Sequence, residues 1–228
     1  MAGVRDVPAN AHRVRASRGD VVGDVDPPAG NGLRSAGGSQ APPPAGGHTE
    51  AQPRNLPLRG VRAFFSFRVG EGWTNLPPEM PDDLALAWGQ TRFLGFFKAQ
   101  GVYKPTERYE QVDAPKDLVG WLRRHPYLRT STPEPVEVGG IEGERLDVVV
   151  GDLPEGHVGA CGPDCVDLFR LSDGSALGAD KGFKYRAIVL EDVKGETVII
   201  GFGGPAGEFS GFAPEAHKVL ESVKWSGS

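Results

Sequence analysis

The chain has 228 residues, 25 Lys and Arg against 30 Asp and Glu, 8% aromatics and two Cys, the balance of a mildly acidic, water-exposed protein. A net charge of −5 removes the counterion-release drive of phosphate-backbone binders, so nucleic acid is not an expected partner. No run approaches the roughly eighteen apolar residues that a transmembrane helix needs.

Residues 1–58 read as a disordered tail. They are mostly Ala, Gly, Pro, Arg, Asp and Val, with runs such as Asp26-Pro27-Pro28-Ala29-Gly30 and Ala41-Pro42-Pro43-Pro44-Ala45-Gly46-Gly47, and no aromatic residue precedes Phe64. So little apolar area cannot offset chain entropy. A secretory signal, with its basic start and apolar stretch, is not visible there. Either the segment is a plain flexible leader, or Met1 is not the true start and an export or lipid-attachment signal is missing.

The pattern changes at Gly60. Val61, Ala63, Phe65, Phe67 and Val69 alternate with Arg62, Phe64, Ser66 and Arg68, the period of a strand with one buried face, and Gly70-Glu71-Gly72 ends it. Leu84 to Trp88 and Arg92 to Phe97, split by Gly89-Gln90, read as a strand pair. A helix is expected next, with Asp113 as N-cap, Pro115 early, Leu118, Val119 and Leu122 at helical spacing, and Arg123, Arg124 and His125 before Pro126. Val136 to Val138 and Glu144 to Val150 flank Gly139-Gly140 as a hairpin, and Val166 to Leu171 follows a Gly-rich, Cys-bearing loop. Lys184 to Val193 and Glu196 to Phe202, joined by Lys194-Gly195, are apolar on both faces and read as central strands. A last helix carries Phe209, Phe212, Ala216, Val219, Leu220 and Val223 as its stripe, with Pro214 placed near its first turn. This order fits an α+β domain over residues 59–228, an antiparallel β-sheet covered by helices.

Cys161-Gly162-Pro163-Asp164-Cys165 is the most specific local feature. Gly-Pro-Asp supplies a tight turn able to bring two Cα atoms within the roughly 4.4–6.8 Å of a disulfide. So small a ring adds only about 2 kcal/mol, enough to pin a loop, and a disulfide implies an oxidising compartment. Two other readings use the same residues: zinc held by His157, Cys161 and Cys165, which lacks a fourth ligand, and a redox dithiol, which more usually has two intervening residues. Gly201, Gly203 and Ala206 formally match G-x-G-x-x-A, but too little chain follows for a dinucleotide fold. They are expected to let the chain leave a strand and turn. No nucleophile elbow, H-E-x-x-H or phosphate-cradling loop is present, so no catalytic residue, metal ligand or cofactor is assigned.

More than half of the aromatics fall between Phe64 and Tyr109. They are either core or, through Trp73, Trp88, Phe96, Phe97 and Tyr103, the lining of a pocket for a small apolar ligand. Of the five His, His12 and His48 lie in the tail, His125 at a helix end, His157 in a loop and His217 on the polar face of the last helix.

Phe64-Phe65-Ser66-Phe67 through Glu71-Gly72-Trp73, the strands Tyr185 to Val193 and Thr197 to Phe202, and the closing Phe212 to Trp225 together resemble the PsbP-like group. The likeness is strongest to bacterial envelope proteins of that kind, often secreted or lipid-anchored, that carry a Cys pair like Cys161 and Cys165. The resemblance implies an α/β/α sandwich acting as a non-catalytic binding or assembly module outside the cytoplasm, its partner an unknown protein, with no catalytic residue to carry over. Residues 70–83 and 151–183 are the expected recognition loops. The alternative is a carrier or enzyme for a small apolar ligand built on residues 64–109.

Overall fold

A computed structural model describes residues 65–76, 83–106 and 110–225; the expected disordered tail, the start of the first alternating run and Tyr109 lie outside them. Six strands come first: β1 (Phe65–Ser66), β2 (Trp73–Asn75), β3 (Asp83–Trp88), β4 (Arg92–Phe97), β5 (Gly101–Tyr103) and β6 (Gln111–Asp113). Helix α1 (Leu118–Arg124) follows, then β7 (Leu128–Thr130), β8 (Glu134–Val138) and β9 (Ile141–Val150). Strands β10 (Cys165–Arg170), β11 (Ala176–Asp180), β12 (Phe183–Val193) and β13 (Glu196–Pro205) lead to helix α2 (Phe209–Glu221) and the short β14 (Lys224–Trp225).

The expected hairpins form the main sheet. β3–β4, β8–β9 and β12–β13 are adjacent antiparallel pairs. Lys194 and Gly195 turn the last of these with φ of 58° and 82°, the left-handed pair that a two-residue hairpin turn requires. Within it β4 pairs with β13, Phe96 opposite Ile200, so strands from the early and late parts of the chain share one sheet. Its order is β2-β3-β4-β13-β12-β9-β7, with β8 also on β9.

Strand alternation sends side chains to two separate cores. On one face Leu84, Phe96, Leu190, Ile200 and Phe202 meet α2 through Phe209, Phe212 and Val219, and the β1–β14 ribbon closes the edge with Phe65 opposite Trp225. On the other face Phe97, Leu146, Val189 and Ile199 meet α1 and a second sheet of order β11-β10-β5-β6. Each fully buried large apolar side chain contributes about 1.5–3 kcal/mol.

Several boundaries differ from expectation, each for a local reason. Asp113 is not a helix cap but ends β6 opposite Gly101; Asp117 caps α1 instead, accepting the Gly120 N–H at 2.6 Å. Of the opening alternation only Phe65 onward lies among the described residues, and there Phe65 and Phe67 both reach the core as their alternation requires. Helix α2 starts at Phe209, which places Pro214 inside it. The carbonyl that Pro214 cannot bond belongs to Ser210, and both residues are exposed to water, which lowers the cost of the missing N–H. Gly201, Gly203 and Gly204 are strand residues, and the turn waits until Ala206. The span 151–183 is not one loop, because β10 and β11 lie within it and are paired along their length.

Candidate functional site

The five aromatics singled out as a pocket do not converge. Trp73 and Trp88 set their rings at a tilt 5.8 Å from Phe212 on the α2 face, and Phe96 joins the same core, 4.6 Å from Phe65. Phe97, next in the strand, points to the opposite face and meets Phe169 at 5.8 Å. Tyr103 is buried in the second sheet, its hydroxyl accepting the Gln111 amide at 3.3 Å.

Of the five, Phe97 alone borders a cavity of about 40 Å3 between the two sheets, shared with Phe93, Phe169, Tyr185, Ile199 and Gly201. Glycines create it. Gly201 and Gly203 project no side chain from β13, and the rings of Phe97 and Tyr185 lie close over them, at 3.2 Å and 2.5 Å from where a Cβ would stand. The space suits a water or two by volume, its walls are apolar, and it falls far short of the roughly 300–1,000 Å3 of a ligand pocket.

Polar groups gather instead at the cysteine loop. Cys161 and Cys165 are bridged, with Cα atoms 5.7 Å apart, and Gly159 and Gly162 exchange backbone hydrogen bonds of 2.8 and 2.9 Å beside them. Two glycines make room: a Cβ on Gly159 would stand 2.4 Å from the Cys165 carbonyl, and one on Gly178 of β11 less than 3 Å from both sulfurs. His157 Nε2 lies 2.8 Å from the Cys165 carbonyl oxygen, and its ring meets Tyr127 edge-on at 5.5 Å. Between His157 and Gly159, Val158 is 61% exposed, the one large apolar side chain so placed among the described residues.

Beneath the loop sits Asp167, only 6% exposed. Its Oδ2 accepts the Ala160 N–H at 2.7 Å and its Oδ1 lies 3.2 Å from Cys161 Sγ. Burial raises the pKa of this carboxyl and outweighs the backbone donors at Ala160 and Cys161 and the charge of His157. Cys161, Cys165 and Asp167 place ligand atoms within 4.8 Å of one another, but bridged sulfurs offer no thiolate to an ion, and His157 is already engaged at Cys165.

Close by, His125 is 4% exposed at the end of α1. Its Nδ1 accepts the Tyr127 N–H at 3.3 Å, its ring meets Trp121 edge-on at 5.3 Å, and its Nε2 has no hydrogen-bond partner among the described residues. Burial, with His157 as a second cause, lowers its pKa to about 4.

A second polar cluster, not anticipated from the sequence, covers the α2-side face of β9 and β12. Asp147 takes hydrogen bonds of 2.7 and 3.1 Å from Arg186 and an ion pair of 2.8 Å from Lys184. Burial alone would raise its carboxyl, but these bonds and charges hold it below the ordinary value. Arg186 and Lys184 also lie over the Phe209 ring, so the network fastens α2 to the sheet. His217 belongs here rather than on a free polar face: its ring stands edge-on to Phe202 at 5.5 Å, and burial, then Arg186 and Arg145, lowers its pKa. The sequence signal was the alternation of charge with apolar residues in Arg145-Leu146-Asp147 and Lys184-Tyr185-Arg186.

No family model and no curated protein matches the sequence. Among solved structures, the fold is similar to the solution structure of the cyanobacterial PsbP (CyanoP) from Synechocystis sp. PCC 6803, with a TM-score of 0.39 at 10% identity over 76% of this chain and 91% of that one. It is also similar to the crystal structure of LpqN, involved in cell envelope biogenesis of Mycobacterium tuberculosis, with a TM-score of 0.32 at 12% identity over 70% and 82% of the two chains. At such distances no residue role transfers, and the architecture stands on this chain's own strand pairings.

Proposed function

We propose that residues 59–228 form a non-catalytic binding or assembly module that works outside the cytoplasm and recognises a protein partner through the bridged loop 151–164. The observation that carries this reading is Val158, an apolar side chain held out in water at the tip of a segment fixed by a disulfide and by bonds to Asp167 and His157. An ordered loop with an exposed apolar tip loses little entropy on docking, which is the advantage of a preorganised contact. The bridge supports an oxidising compartment. Among the described residues the five aromatics Trp73, Trp88, Phe96, Phe97 and Tyr103 share no common cavity, and the one that Phe97 borders is far smaller than a ligand pocket.

The test is site-specific photo-crosslinking in cells producing the full chain. A benzophenone side chain at Val158 should give one discrete adduct that is absent when the probe replaces exposed Glu142 on β9 and lost in a Cys161→Ser/Cys165→Ser chain. Equal labelling from both positions, or an adduct indifferent to the bridge, defeats the reading.

A further inference from the structure

We propose that His125, Tyr127 and His157 form an acid-sensitive latch, which holds residues 151–158 to the end of α1 and lets them go when His125 takes a proton. The inference deepens the proposed contact and rests on that reading for its consequence alone, since Val158 lies in the released segment. The latch itself stands on the geometry of three rings.

Tyr127 holds the segment at two places. Its carbonyl accepts the Gly151 N–H at 2.8 Å, where β9 gives way to the loop, and its ring meets His157 edge-on at 5.5 Å. The same ring meets His125 edge-on at 5.7 Å, and the Tyr127 N–H is donated to His125 Nδ1 at 3.3 Å. His157 Nε2 in turn lies 2.8 Å from the Cys165 carbonyl oxygen, so the series runs from the end of α1 to the start of β10.

His125 Nδ1 accepts that bond only while it is bare. The neutral ring therefore carries its proton on Nε2, which has no hydrogen-bond partner among the described residues. A second proton goes to Nδ1 and sets one donor against another, the Tyr127 N–H. The cation so formed has two N–H groups, no acceptor and 4% exposure, a costly state. Neighbouring charges do not offset it. Arg123 and Arg124 of α1 are exposed, Arg129 of β7 is exposed and paired with Asp152 of the loop, His157 acts on His125 as a like charge, and Asp167 of β10 acts on His157. Relief comes when the His125 ring reaches water, which displaces Tyr127 and both its holds on the loop. The Cys161–Cys165 bridge and the Ala160–Asp167 bond take no part, so the released segment ends near Val158.

In the open form His125 titrates near about 6.5, whereas in the closed form burial, then His157, holds it at about 4. The open form binds more protons across that window. Closure is therefore strongest above about 6.5 and weakens by up to about tenfold for each unit that pH falls toward 4.

The test is amide hydrogen exchange of the full chain, with no partner present, from about pH 7.5 to pH 4 and corrected for the intrinsic rate at each pH. Protection of the Gly151 and His157 N–H groups should fall by about 100-fold. At every pH they should be less protected than the β12–β13 amides, because the latch opens with the sheet intact. His125→Asn keeps an acceptor for the Tyr127 N–H but takes no proton, and it should remove the slope. A flat wild-type profile overturns the proposal, as does a slope that survives His125→Asn. Equal protection of Gly151 and the β12–β13 amides also overturns it, because the opening would then be global. Should His125→Asn lose its fold, the His125 imidazole is titrated by NMR in the wild-type chain. The Gly151 slope must then level off below that midpoint, and a slope that continues past it assigns the release to carboxylates and overturns the proposal. Failure here leaves the binding reading standing, and a missing Val158 adduct leaves the latch standing.

Discussion

His125 couples the interior to pH through a single ring nitrogen. In the unfolded chain it takes a proton as pH falls through about 6.5, whereas in the fold burial delays protonation to about 4. The unfolded state therefore binds more protons across that window. The stability held above pH 6.5 drains away as pH falls toward 4, by up to about 3 kcal/mol at roughly 1.4 kcal/mol per unit. Urea denaturation across that range should show the slope, and His125→Asn, which keeps an acceptor for the Tyr127 N–H, should flatten it; an unchanged slope in the variant would assign the loss to other groups. Gly178 is a steric counterpart. Adding a methyl there brings carbon within 3 Å of both sulfurs, so Gly178→Ala should cost about 1–3 kcal/mol by overpacking and speed reduction of the bridge. A variant as stable as the wild type would mean that the loop shifts freely.

Among the elements, the long hairpins were legible because their signals agree: apolar content on both faces and a Lys-Gly turn at the required φ point to one arrangement of β12 and β13. The short strands were not. β5, β6 and β11 are built from Gly-Val-Tyr, Gln-Val-Asp and Ala-Leu-Gly-Ala-Asp, too brief for periodicity to appear, and they exist because β10 pairs with β11 and β5, and β5 with β6. The N-cap of α1 was misplaced for a related reason: Asp113 and Asp117 both precede the apolar spacing, and β6 claims the first. Helix α2 was readable from its stripe, and Phe212 is its anchor against Trp73, Trp88 and Phe202. Phe212→Ala should lower stability by about 3–5 kcal/mol in a denaturant titration; a loss under about 1 kcal/mol would show that α2 is not seated on the sheet.

At the scale of the whole molecule, one main sheet separates two cores, and this division decides what the aromatic residues can do. Phe96 and Phe97 are adjacent in sequence and on opposite faces in space, so a cluster dense in sequence is not dense around any one cavity. The Cys pair was readable from its turn residues. Asp167 and Val158 were not, because the burial of one and the exposure of the other depend on how β10 sits on β11 and how the bridge holds the loop above them. The account rests on that loop being ordered by the bridge rather than by the partner it meets. Amide hydrogen exchange measures this directly, since the Gly159, Ala160 and Gly162 N–H groups are all bonded in the bridged loop. They should exchange slowly in the oxidised chain and quickly in Cys161→Ser/Cys165→Ser, while the β12–β13 amides stay protected in both. Fast exchange of those three amides in the oxidised chain would contradict the account.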